Sequence, residues 1–191
     1  MGSSAKVAAA VALLLLLLPA GAAQASERLW DLLQRGGQII LIRHALTTPG
    51  TGDPPGMRLD DCSAQRNLSD EGRHDAARIG EAFRARGVTV ERVLTSPWCR
   101  CIETARLAFG AAEVWPPLGN LFGRPEQREP QVREMRSLVG ERRSGNLVLV
   151  SHGSTIAAVI GVSLDMSEMV IVTPQGGERF TVAGRLAVPA P

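Results

Sequence analysis

The sequence predicts an α/β fold: a single three-layer domain with a mostly parallel central sheet flanked by helices. Three observations predict it. "QIILI" (38–42, apolar after its first residue) and "NLVLV" (146–150) show no polar alternation, as expected of strands covered on both faces. Strand-like and helix-like segments alternate along the chain, the pattern of a layered α/β domain. Three of the strand-like runs then pass directly into chemically capable residues, as happens where strands end at a binding crevice.

Residues 1–25 are set apart from that fold. Lys6 gives a positive start, Val7 to Leu18 is apolar, and Ala23-Gln24-Ala25 is an A-x-A site. This is the layout of a secretory signal peptide, and it predicts a periplasmic or secreted protein beginning at Ser26. The apolar run is short for a span of roughly 20 residues; an uncleaved N-terminal anchor is the alternative. No cysteine follows the cleavage point, so a lipid anchor is not expected.

From Ser26 onward the elements follow in order. "SERLWDLLQRGG" (26–37) reads as an amphipathic helix closed by Gly36 and Gly37. QIILI is the first strand. Residues 47–66, rich in Gly, Pro, Thr and Asp, form a long loop of the kind that often carries function. "SDEGRHDAARIGEAFRARG" (69–87) is a helix: Ser69 caps it, Asp70 and Glu71 suit its positive end, and Gly87 closes it. "RVLT" (92–95) is a strand, with Ser96 and Pro97 as N-cap and first residue of a helix reaching Phe109. The stretch 125–143 is expected to be helical after Pro130. NLVLV is a fully buried strand, "STIAAVIGV" (154–162) a buried helix, and "EMVIVT" (168–173) and "RFTVAG" (179–184) closing strands.

Composition narrows the function. Beyond Lys6, the only lysine, charge is nearly balanced, so neither nucleic acid nor an anionic membrane is an expected partner. Cys62, Cys99 and Cys101 form no zinc pattern. An oxidising compartment lets disulfides persist; a bridge from Cys62 to one of the other two is the natural pairing, and three free thiols the alternative. No G-x-S-x-G elbow and no G-x-x-x-x-G-K loop occur, which disfavours a serine hydrolase and a P-loop nucleotide enzyme.

The chemistry gathers at strand ends. QIILI runs into Arg43-His44, RVLT into Ser96-Pro97, and NLVLV into Ser151-His152-Gly153. Parallel strands bring these ends to one edge, so two of the three histidines share a crevice with Arg43. Arg100 stands in the first turn of a helix, where the dipole disfavours a cation but welcomes an anion. A solvated arginine paired with Glu103 is the plain alternative. His74, mid-helix among polar residues, is expected on the surface, and Trp98 and Trp115 in the core.

"LIRHA", "NLSDEGRHDAARIG", "SPWCRCIETA" and "VSHGSTI" resemble, in order, the signatures of the histidine phosphatase (phosphoglycerate mutase-like) superfamily over residues 38–160. The resemblance implies a phosphoglycerate mutase-like fold and a phosphatase acting on a small phosphorylated substrate through a covalent phosphohistidine. It makes His44 the nucleophile, with Arg43, Arg100 and His152 holding the phosphoryl oxygens, and it needs no metal or other cofactor. Ala45 departs from the family's glycine. The family's proton donor comes from the segment after the third strand, here "GNLFGRPEQREP". Glu126, nearer the Gly-rich turn, is the preferred donor; Glu129, Asp53 or no acid at all are the other options, since some relatives lack it and act on good leaving groups such as phosphohistidine. The chain is shorter than cofactor-dependent mutases and lacks evident substrate-enclosing insertions. A phosphate-binding protein using the same pocket with little turnover is the competing reading.

Overall fold

The computed structural model describes residues 18–189. Its helices are α1 (Leu18–Gln34), α2 (Asp70–Ala85), α3 (Cys99–Phe109), α4 (Arg128–Gly140) and α5 (Gly153–Ile160). Its strands are β1 (Ile39–Arg43), β2 (Val90–Thr95), β3 (Glu113–Val114), β4 (Asn146–Ser151), β5 (Met169–Gly176) and β6 (Arg179–Leu186). They form one six-stranded sheet in the order β3-β2-β4-β1-β5-β6. The pairs β3/β2, β2/β4 and β4/β1 are parallel, while β5 runs antiparallel to both its neighbours. The first 17 residues of the expected signal segment lie outside the described residues, and the rest belongs to α1, which continues through Ala25.

The central strands are apolar throughout because both faces are covered. Ile40, Ile42, Val148 and Val150 pack with Trp30, Leu33, Ile79, Phe83 and Ala105 of α1, α2 and α3. Ile39, Leu41, Leu147 and Leu149 pack the other way, against Met135, Val139, Ile156 and Val159 of α4 and α5. Those two cores lie between the three layers, helices, sheet and helices. Ile39 to Ile42 are all 0% exposed, and burying each side chain contributes about 2 kcal/mol.

Ser69 caps α2, its side chain accepting from the Gly72 N–H, and Gly87 takes up φ 65° beyond the helix end. Two boundaries differ from the sequence reading. Helix α3 begins at Cys99 rather than Pro97, because the Ser96 hydroxyl is engaged with His152 (2.8 Å). Helix α4 begins at Arg128 and contains Pro130 in its first turn, where a proline interrupts no helical hydrogen bond. The two-residue strand β3 has no apolar pattern in the sequence to reveal it.

Candidate active site

Three parallel strands deliver their carboxyl ends to one edge. There, Arg43, His44, Arg66, Arg100, Asn120, His152 and Ser154 are among the residues lining a cavity of about 490 Å³. Arg43 ends β1 and His44 follows it, tied to β4 by its backbone N–H to the Ser151 carbonyl (2.9 Å). His152 caps α5, whose first residues Gly153 and Ser154 line the cavity. A Cβ on Gly153 would crowd the Arg43 guanidinium at 3.2–3.3 Å, so glycine there lets Arg43 lie across the helix start. A larger depression of about 600 Å³ beside β2 and β3 holds no histidine; His44 and His152 both line the smaller cavity.

His44 is 3% exposed. Its Nδ1 faces the Ala45 carbonyl at 3.0 Å. A carbonyl only accepts, so Nδ1 carries the proton and Nε2 keeps a free lone pair. Burial, then the nearby arginines, pulls its pKa down to about 3 despite that carbonyl. His152 lies with its ring 5.4 Å from that of His44. Its Nδ1 stands 3.3 Å from an Arg100 terminal nitrogen, which can only donate. The His152 proton therefore sits on Nε2 and is given to the Ser96 hydroxyl (2.8 Å). Burial first, then His44 and the arginines, drives its pKa well below the ordinary value. Both rings are neutral.

Arg100 is 1% exposed and does not pair with Glu103, which Arg73 holds at 2.8 Å. Its partner is Asp53, from the long loop, at 2.5 and 3.2 Å to the two terminal nitrogens. Burial raises the Asp53 pKa, but the Arg100 fork, the Trp98 indole N–H (3.0 Å) and the Arg66 N–H outweigh it, so the carboxyl stays ionised. Asp53 grips Arg100 without being among the cavity-lining residues. Thr104 then ties α3 to the first strand: its hydroxyl accepts from the Ala45 N–H (3.0 Å) and donates to the Arg100 carbonyl (2.7 Å). A Cys62–Cys99 disulfide fastens the same long loop to the start of α3, and Cys101 is free and buried. Burial pushes the Cys101 thiol up to about 12, so it stays protonated.

Of the sequence-derived site residues, His44, His152, Arg43 and Arg100 meet in one cavity. Glu126 does not join them. It is exposed in a 3-10 turn, Pro125–Gln127, that runs straight into α4, and it is not among the cavity-lining residues. Glu129 lies on a separate surface depression with Arg133. His74 is exposed, and Trp98 is buried with its ring 5.1 Å from His152.

Among the lining residues that the sequence did not single out are Arg66 and Asn120. Arg66 lies near the end of the long loop; in a chain whose cations are otherwise nearly all arginine, its identity carried no signal. Burial, followed by repulsion from Arg100, lowers its pKa, as befits a cation facing other cations. Asn120 belongs to the segment after the third strand, where the family resemblance implies a carboxylate, and an amide there carries no such signal.

Fold and site together define an α/β protein with an arginine-walled cavity around two neutral histidines. The family model described as "Histidine phosphatase superfamily (branch 1)" matches residues 39–134, and the chain belongs to that superfamily. Among curated proteins, none matches the chain. Solved structures do. The protein histidine phosphatase SixA complexed with tungstate is similar at 17% identity and TM-score 0.59, over 78% of this chain and 96% of that one. Rv3214 from Mycobacterium tuberculosis is similar at 20% identity and TM-score 0.59, over 81% and 99%. Phosphoserine phosphatase from Entamoeba histolytica, in complex with 3-phosphoglyceric acid, is similar at 14% identity and TM-score 0.56, over 78% and 95%. These likenesses establish the phosphoglycerate mutase-like fold.

Proposed function

We propose that the protein is an exported phosphatase that hydrolyses phosphomonoesters, without a metal, through a covalent phosphohistidine on His44. The observation that carries this reading is the His44 tautomer: a neutral ring with Nδ1 spent on the Ala45 carbonyl and Nε2 available in a cavity walled by Arg43, Arg66 and Arg100. In the first step the Nε2 lone pair forms the N–P bond as the bond from phosphorus to the leaving oxygen breaks, its pair departing with that oxygen. The Nδ1–H bond to the carbonyl supports the positive charge the ring acquires. Water then attacks phosphorus and the N–P pair returns to Nε2. Both hydrogens of the water go with the phosphate, one passing on to solvent. Guanidinium forks suit the equatorial oxygens, where the transition state spreads its charge.

His152 holds a phosphoryl oxygen in this scheme by taking a proton from solvent on Nδ1, the nitrogen that Arg100 now approaches. An arriving dianion favours that protonation. Export is supported by the sequence of residues 1–25 and by the Cys62–Cys99 disulfide, a bond at home in an oxidising compartment. Two structural neighbours bear the names protein histidine phosphatase and phosphoserine phosphatase, both compatible with a small phosphorylated substrate. The second reading, a pocket that binds phosphoesters with little turnover, is favoured by one observation: no carboxylate is among the described cavity-lining residues.

The test is hydrolysis of a chromogenic aryl phosphate by the protein from Ser26 onward, in chelator, beside His44→Ala. Metal-independent turnover that falls by at least about 1,000-fold in the variant is expected, since removing a nucleophile removes the covalent route. Binding of inorganic phosphate without turnover would instead establish the second reading.

A further inference from the structure

The segment Leu118–Phe122 is strapped over the cavity by side chains of β4 and α5. Ser151 donates to the Leu118 carbonyl (2.7 Å), and Thr155 donates to the Gly119 carbonyl (2.7 Å) while accepting from the Leu121 N–H (3.2 Å). Between these ties stands Asn120. Its Oδ1 accepts from the Ser154 hydroxyl (2.8 Å) and from the Phe122 N–H (3.1 Å). Two donors on one atom settle which end of the amide is oxygen. The Nδ2 end, with two N–H groups, has no hydrogen-bond partner among the described residues, and Asn120 lines the cavity. Asp53, the carboxylate nearest the site's arginines, is fully engaged by Arg100, Trp98 and Arg66.

We propose that Asn120 is the residue that meets the leaving group, and that by offering a hydrogen bond without a transferable proton it confines the enzyme to activated phosphoryl donors. These are aryl, acyl or anhydride phosphates, whose leaving group departs as a stable anion, rather than alkyl esters such as sugar or serine phosphates. The inference rests on the phosphohistidine reading above. The balance is simple: the P–O bond breaks, the pair stays on the leaving oxygen, Asn120 Nδ2–H donates to that oxygen, and water supplies its proton after departure. An alkoxide leaving this way receives no such relief, and a general acid typically contributes about 100- to 10,000-fold at this point. The same strap places Phe122, 61% exposed, on the cavity wall, an apolar face for a ring-bearing leaving group.

The experiment is a series of aryl phosphates with graded leaving-group acidity, plus one alkyl phosphate, assayed for kcat/KM with the wild-type protein, Asn120→Asp and Asn120→Ala. Wild type is expected to slow steeply as the leaving group becomes more basic, with the alkyl ester at least about 100-fold below the aryl mean. In Asn120→Asp one carboxyl oxygen keeps the Ser154 and Phe122 contacts and the other replaces Nδ2. That variant is expected to gain about 10- to 100-fold on the poorest leaving groups, to flatten the series, and to add a basic limb to the pH profile. Asn120→Ala is expected to lower every rate while keeping the steep slope. A shallow wild-type series overturns this inference and leaves the phosphatase intact, because some other group must then supply the proton. No wild-type turnover of any member overturns the phosphatase reading and this inference with it. If Asn120→Asp repels every dianion, the wild-type slope decides alone.

Discussion

His44 and His152 are two imidazoles held neutral side by side, and that has a consequence for stability apart from chemistry. In the folded protein His44 titrates at about 3, against an ordinary value of 6.5, and His152 is likewise lowered by burial. Between those pH values the unfolded chain binds protons that the folded chain refuses. Stability is therefore complete above about pH 6.5 and falls as the pH drops toward about 3, by up to ~1.4 kcal/mol per pH unit for each ring. Denaturant unfolding from pH 8 to pH 4 is expected to show this fall, and His44→Gln, which removes one titrating ring, a shallower one. Saturating inorganic phosphate is expected to flatten the curve too, since an anion beside His152 makes its protonated form welcome. An unchanged slope in both cases would mean that the rings are solvated and not held neutral by the fold. The same buried, cation-rich surroundings keep His44 deprotonated at Nε2 in mildly acid conditions.

At the scale of elements, legibility follows the backbone. The four residues gathered in the cavity each adjoin a strand end or open a helix: Arg43 and His44 after β1, Arg100 in the first turn of α3, His152 at the cap of α5. A parallel sheet brings such positions together, so strand order placed Arg43, His44 and His152, while Arg100 was settled only by the family resemblance. Asp53, Arg66 and Asn120 reach the site on irregular segments, whose paths depend on contacts that no periodicity announces. The long loop depends on the Cys62–Cys99 bond and the Asp53–Arg100 pair; the 118–122 strap depends on Ser151, Thr155 and Ser154. Glu126, too, sits on such a segment, a 3-10 turn just before α4, and is not among the residues lining the cavity. The disulfide closes a 37-residue separation, which contributes about 2–4 kcal/mol in most proteins. Cys62→Ser is expected to lower stability by about that much and also to raise KM for an aryl phosphate several-fold more than it lowers kcat. Loosening the loop frees Asp53, which grips Arg100, and Arg66, which lines the cavity, while leaving His44 at the end of β1. A stability loss with KM unchanged would show that the loop holds its place without the bond.

The whole molecule is polarised along its strands. The carboxyl-end edge of the sheet carries the cavity; the opposite edge is closed by one residue, Asn146, 1% exposed at the start of β4. Its Oδ1 accepts from the Gln38 N–H (3.1 Å), and its Nδ2 donates to the carbonyls of Leu33 (2.7 Å) and Thr89 (2.9 Å). One amide thus joins the segment before β1, the last turn of α1 and the approach to β2, with no link to the cavity. In the sequence it was simply the first letter of "NLVLV", since an asparagine at a strand start reads as a turn residue unless its three partners are known. The three-layer arrangement was readable from apolar runs and their alternation with helices; this polar seal, and the reversal of β5 against β1, were not. Asn146→Ala leaves the Gln38 N–H and the Thr89 carbonyl unmatched, each worth about 1–3 kcal/mol when stranded, while the Leu33 carbonyl keeps the Gly36 N–H (3.1 Å). Partial relaxation brings the expected loss to ~3 kcal/mol, or roughly 6–12 °C in Tm for a chain of this size. Because the seal and the chemistry occupy opposite ends of the same strands, kcat and KM of the folded variant are expected to match wild type. Calorimetry beside steady-state assays at a temperature well below the lowered Tm reads both quantities. A fall in kcat parallel to the loss of Tm would mean that the strands transmit disturbance from end to end, and that the two edges are not independent.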